Sequence, residues 1–103
     1  MVDTVNRKRI EILSDTPLLP RVIDIIKAVD ISGWSVIHVD SGGGRDGSWQ
    51  HDDVTGAAAK SIVLAIANEE KAQALVDAIE PILESHRLLL TVGNVQVVRG
   101  DKF

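Results

Sequence analysis

The run from Ala59 to Ala67, reading AKSIVLAIA, constrains the fold more than any other stretch. Side chains of a strand alternate between two faces, and Ile62, Val63, Leu64 and Ile66 make both faces of this one apolar. Such a strand belongs inside a sheet with cover on both sides. A chain of 103 residues has room for one core. Its other elements must supply that cover, or another chain must.

The flanking sequence predicts those elements in turn. Arg7 to Leu13 alternates, with Ile10 and Ile12 on one face, and reads as a first strand. Ser14-Asp15-Thr16-Pro17 opens a helix: Asp15 or Thr16 can cap, and Pro17 stands where its missing N–H costs nothing. Leu18, Val22, Ile25, Ile26 and Val29 then share a helical face, and Ser32-Gly33 closes the unit. Trp34 to Asp40 is a second strand, with Ser35, Ile37 and Val39 on one side and Trp34, Val36 and His38 on the other. Ala59 to Ala67 is the third. Asn68 caps a second helix, Glu69 and Glu70 suit its positive end, and Ala72, Leu75, Val76, Ile79 and Leu83 form its buried face. Pro81 predicts a kink or an early end. Leu88 to Val92 is a fourth strand, Gly93-Asn94 a two-residue hairpin turn, and Val95 to Val98 a short fifth strand.

This order, β-α-β twice over, predicts an α/β (α+β) ferredoxin-like βαββαβ sandwich with a terminal hairpin, a single domain over residues 1–103. Two helices cover one face of the sheet. The third and fourth strands are apolar on both faces, so a monomer would leave an apolar face in water. Self-association in a closed ring or a dimer is the expected remedy.

Composition narrows the function. The absence of cysteine excludes disulfides, thiolate metal sites and cysteine nucleophiles, and fits a reducing cytoplasm. A net charge of −4 argues against a nucleic-acid partner, which needs clustered Lys and Arg. No stretch has the length of a membrane span, and the polar N-terminus lacks the apolar core of a signal peptide. No nucleophile elbow, H-E-x-x-H or Walker loop is present. Asp52 and Asp53 read as solvated loop charges. His38, His51, Asp52 and Asp53 match no zinc or calcium spacing, so neither a metal site nor a catalytic cofactor is expected. His86 suits the negative end of the second helix.

The stretch Ser41 to Asp53 differs in kind. It holds Gly42, Gly43, Gly44 and Gly47 and offers little to bury, so it reads as a flexible loop, long for so small a domain. Ser41-Gly42-Gly43-Gly44-Arg45 offers consecutive amides and then a guanidinium, a composition suited to an oxyanion nest or to plain flexibility. Arg99 adds a second cation past the last strand. Trp49 calls for cover, by a partner, a ligand or its own domain.

These same segments carry a family resemblance. Gly33-Trp34-Ser35-Val36, Ser41 to Arg45, Lys60 to Ile66 and the closing Val97-Val98-Arg99-Gly100-Asp101-Lys102-Phe103 resemble the PII-like signalling proteins. The nearest group is the carboxysome-associated PII proteins and their relatives encoded beside bicarbonate transporters. The resemblance implies a cytoplasmic homotrimer, not an enzyme, with adenine nucleotides (AMP, ADP, ATP or cyclic AMP) in the clefts between subunits. It implies a T-loop, here residues 41–53, that changes order with ligand and docks on a target, Trp49 being the docking candidate. It also implies bicarbonate at the loop base, near Ser41, Gly42, Gly43 and Gly44, and a target such as a membrane bicarbonate transporter or another carbon-uptake protein. By position, Gly33, Trp34, Ser35 and Val36 would line the adenosine pocket, Arg45 would reach phosphate, and Gly93, Asn94 and Arg99 would close the cleft.

Departures from the family pattern matter too. Without tyrosine, control by nucleotidylation of a loop tyrosine is impossible. Ser41 to Gly44 replaces the glutamine that helps other members bind 2-oxoglutarate with magnesium, and the lack of cysteine removes a redox switch. Two rival readings remain: a metal-responsive trimer resembling the divalent-cation-tolerance proteins, and a slow nucleotide hydrolase using Asp52 or Asp53.

Overall fold

The computed structural model of the chain describes residues 3–44, 47–50 and 59–98. Its elements are β1 (Thr4–Asp15), a 3-10 turn (Thr16–Leu18), α1 (Leu19–Ala28), β2 (Gly33–Val39), β3 (Ser41–Gly44), β4 (Gly47–Gln50), β5 (Lys60–Ala67), α2 (Glu69–Leu83) and β6 (Leu89–Val98). The main sheet has the order β2-β5-β1-β6, each neighbouring pair antiparallel. With both helices on one face, this is the expected ferredoxin-like sandwich.

Register explains where the core lies. Ile10, Ala65, Trp34 and Val92 share one row across the sheet, and Ile12, Val63, Val36 and Leu90 the next. These side chains face the helices. Ile10, Ile12 and Val63 are fully buried there, with Val22 and Ile26 of α1 and Leu75 and Ile79 of α2. The period-2 pattern of β1 and β5 and the helical stripes thus meet on one surface, as the sequence predicts. Val76 and Leu83 are only half-buried, and Ile82 takes the buried place at the end of α2.

The opposite face has no layer over it among the described residues. Ile37, Ile62, Leu13 and Leu89 form one apolar row across all four strands. Leu64 and Ile66 extend it along β5, while Arg9 and Glu11 pair across 2.9 Å on β1.

The helix ends correct two expectations. Neither Asp15 nor Thr16 caps α1 with its side chain. Asp15 instead binds Lys60 Nζ, its register partner on β5, and Thr16 Oγ1 meets Ser61 Oγ at 2.9 Å. The chain therefore enters α1 through a 3-10 turn, with Pro17 and Pro20 at its open N–H positions. Both helices close by one device. Ile31 N–H donates to Ile26 O and Asp30 N–H to Lys27 O, while Leu88 N–H donates to Leu83 O and Arg87 N–H to Glu84 O. Each pair is a Schellman motif, which demands a left-handed residue. Asp30 (φ 66°) and Arg87 (φ 53°) fill that place without being glycine. At the other end of α2, Asn68 Oδ1 accepts from Lys71 N–H at 2.8 Å, the cap read from the sequence. The helix runs two residues past Pro81.

The terminal hairpin is not formed. β6 is one unbroken strand, with Gly93 opposite Arg9 and Asn94 opposite Lys8. A type I′ turn needs positive φ at both central residues, and neither Gly93 nor Asn94 adopts it. The reason is tertiary. β1 begins at Thr4, earlier than its alternation suggests, and offers β6 a ladder of ten partners. Folding back at Gly93 would give up the half of that ladder beyond it.

Candidate functional site

The functional candidates are divided along the sheet: Gly33, at the start of β2, shares a row with Gly93 of β6, whereas Ser41 to Gly44 follow the other end, where β1 and β2 finish and β5 and β6 start. From there β3 and β4 project as a separate two-stranded ribbon, pairing Ser41 with Gln50, Gly42 with Trp49, Gly43 with Ser48 and Gly44 with Gly47. So the stretch read as a plain loop is built around a hairpin. This alters the expected nest, which requires successive residues in helical and left-handed conformations. Ser41 to Gly44 are instead extended. In a two-stranded ribbon alternate amides point away from the partner strand, so about half of these N–H groups remain open to an anion. Trp49 is placed by its backbone on β4. Arg45 and Arg99, with His51, Asp52 and Asp53, lie outside the described residues.

The predicted adenosine quartet is split by the pleat. Trp34 and Val36 face the helices and pack against the core, with Lys27 Nζ 6.0 Å from the Trp34 ring centroid. Gly33 and Ser35 face the open side. Within one chain β2 therefore offers Gly33 and Ser35, with the edge-strand backbone, on the open side and Trp34 and Val36 on the core side. Gly93 and Asn94 lie on β6, the opposite edge, and one chain does not bring them to the quartet.

His38, at the end of β2, is held by structure. Its Nδ1 lies 3.0 Å from Ser61 Oγ, which also meets Thr16 Oγ1. This chain of polar groups ties β2, β5 and the entry to α1 together just before the ribbon begins. Ser61 is fully buried, so its hydroxyl is closed to a substrate, while His38 itself is exposed.

A group that sequence reasoning passed over lies nearby. A cavity of about 530 Å³ is lined by Asp15, Pro17, Leu18, Ser85, His86 and Arg87, between the 3-10 turn and the α2–β6 connection. His86 is not in α2, which ends at Leu83; its N–H donates to Ile82 O and its Nδ1 meets Ser85 Oγ at 2.8 Å. Arg87 beside it adds a cation at the ribbon end of the sheet. The only sequence signal was two basic types after a helix, which its dipole already explains. Among the described residues, no three metal-ligating side chains cluster, and no helix is long and apolar enough to cross a membrane.

Comparison with known proteins agrees with this architecture. No curated protein sequence matches the chain. The structure superimposes on CPII, a nitrogen regulatory PII-like protein from Thiomonas intermedia K12 bound to ADP, AMP and bicarbonate, with a TM-score of 0.89 and 23% identity. That match covers 100% of this chain and 98% of the other. A protein of Thermus thermophilus described as a PII-like signalling protein gives a TM-score of 0.82 at 24% identity, over 98% of both chains. The GlnK–ATP complex of B. subtilis gives 0.64 at 8% identity, over 87% of this chain and 82% of that one. The sequence profile of the nitrogen regulatory protein P-II matches residues 7–102, nearly the whole length, and the chain belongs to that family as a PII-like signalling protein.

Proposed function

We propose that this protein is a non-enzymatic homotrimeric sensor of adenine nucleotides (AMP, ADP, ATP or cyclic AMP) and bicarbonate. Ligands bind in clefts between subunits, and the order of the T-loop, residues 41–53, regulates inorganic-carbon uptake. The observation that carries this reading is the full-length fit to a Thiomonas protein that holds ADP, AMP and bicarbonate. Trimers are typical of the family.

The geometry supports an intersubunit site. Gly33 and Ser35 lie on one edge strand, Gly93 and Asn94 on the other, three strand spacings apart, or roughly 14 Å at about 4.8 Å per step. A site built from both needs two copies arranged head to tail, and repeating that contact closes a ring. The open apolar face gives such a ring its driving force. Arg45 and Arg99 supply guanidinium groups to phosphate, the ribbon amides of Ser41 to Gly44 and the nearby His86 and Arg87 favour anions, and Trp49 docks on the target. A ligand that contacts one ribbon state favours that state by its differential affinity. The target is a membrane bicarbonate transporter or another carbon-uptake protein, met from the cytoplasm.

Titration calorimetry with AMP, ADP, ATP, cyclic AMP, bicarbonate and zinc, one at a time, tests this reading, with light scattering for mass. The expected result is a trimer that binds an adenine nucleotide and whose residues 41–50 then exchange amide hydrogens more slowly. A protein that takes zinc and no nucleotide is the metal-responsive trimer instead. Steady release of phosphate from ATP would make it an enzyme.

A further inference from the structure

A second cavity lies at the other end of the sheet. It measures about 310 Å³ and is lined by Lys8, Glu69, Ala72, Gln73, Val76 and Val92, between α2 and the edge strand β6. Lys8 pairs with Ala67, where β5 ends, whereas the ribbon leaves beside Lys60, where β5 begins. Seven residues of strand, roughly 24 Å, separate the two places.

The lining groups have unspent chemistry. Val92 leaves 46% of its surface in water, and with Ala72 and Val76 it makes an apolar floor. Lys8 Nζ donates to Asn94 Oδ1 and keeps two N–H groups for another acceptor. Gln73 Nε2 donates to Asp77 Oδ1 at 3.0 Å, which leaves its Oε1 as an acceptor. Glu69 makes no ion pair or side-chain hydrogen bond among the described residues. Most telling, Lys8 and Glu69 line the same cavity and do not pair with each other. Acceptors stand on the helix side, an ammonium on the strand side, and carbon lies between.

We propose that this cavity binds a free α-amino acid with a branched aliphatic side chain. Its carboxylate meets Lys8, its ammonium meets Glu69 and Gln73 Oε1, and its side chain covers Ala72, Val76 and Val92. A simple carboxylate would face Glu69, and a simple amine would face Lys8; a zwitterion satisfies both. The cavity is at the small end of the usual range of about 300–1,000 Å³, a size for an amino acid rather than a nucleotide. Asn94, which accepts from Lys8, also belongs to the proposed nucleotide cleft, so the cavity adjoins that cleft, and its test uses no nucleotide.

The test is an NMR titration of the full ¹⁵N-labelled chain with leucine, glycine, N-acetylleucine and leucinamide. Leucine should shift the amides of Glu69, Gln73 and Val92 saturably. N-acetylleucine lacks the ammonium and leucinamide the carboxylate, so each should bind at least about tenfold more weakly, the scale of one lost charge-assisted bond. Glycine, without a side chain for the floor, should bind more weakly too. Glu69→Gln should remove the gap between leucine and N-acetylleucine, and Lys8→Met the gap between leucine and leucinamide. Both variants are checked by thermal melting, and the ligand series on the unmodified protein decides even if a variant fails to fold. No shift at these amides with leucine, or equal binding of either blocked derivative, overturns the proposal.

Discussion

Replacing Ile37 with lysine tests whether the open sheet face is the assembly surface. Ile37 sits in the row Ile37–Ile62–Leu13–Leu89 and leaves 47% of its surface in water within one subunit. A fully buried isoleucine contributes about 1.5–3 kcal/mol, so the half still exposed has about 0.7–1.5 kcal/mol to gain on assembly. Three copies in a ring bring that to about 2–4.5 kcal/mol, or roughly 30- to 1,600-fold in the association constant at about 1.4 kcal/mol per tenfold. Burying three ammonium groups would add several kcal/mol each. The lysine should therefore dissolve the trimer into monomers at micromolar concentration, seen by multi-angle light scattering. The monomer itself should keep its fold by circular dichroism, because this position already faces solvent there. Ile37→Val, which retains an apolar side chain, should remain trimeric. An Ile37→Lys protein as firmly trimeric as the parent would refute the reasoning and move the interface off this face.

Further outcomes follow from the site and from local structure. Arg45→Ala or Arg99→Ala should weaken ADP binding by roughly ten- to a hundredfold in calorimetry and leave adenosine nearly unchanged, since each guanidinium contact to phosphate is worth about 1.5–3 kcal/mol; unchanged ADP affinity in intact trimers would remove the phosphate site. Arg45→Lys should recover part of the loss, because an ammonium keeps the charge without the planar fork. Asn68→Ala deletes the cap on Lys71 N–H and should cost about 1 kcal/mol in chemical denaturation. Gly93→Ala separates strand from turn. In the strand observed here an added Cβ meets nothing within 4 Å, so alanine should gain about 0.5–1 kcal/mol. A lowered melting temperature would point back to a positive-φ turn.

Much of the architecture was already written in local sequence. Alternation in β1, β2 and β5, the helical stripes and the Asn68 cap are short-range properties, set by where each side chain falls along its own element. The double-sided apolar strand also foretold a face in need of a partner. Three features were decided by how the strands pair. Gly93-Asn94 has the composition of a turn, yet β1 extends from Thr4 and its ladder holds both residues in a strand. The glycine run reads as slack chain, yet it pairs with Gly47–Gln50 to make a ribbon. Alternation alone sets Trp34 and Ser35 on opposite faces of β2, and the register with β5 decides that Trp34 meets the core and Ser35 the open face. The grouping of His86 and Arg87 with Asp15 and Pro17 around one cavity likewise joins residues some seventy positions apart. Periodicity along the chain determines which way a side chain points within its element. Only the packed sheet, through the register and length of its partner strands, decides what that side chain meets.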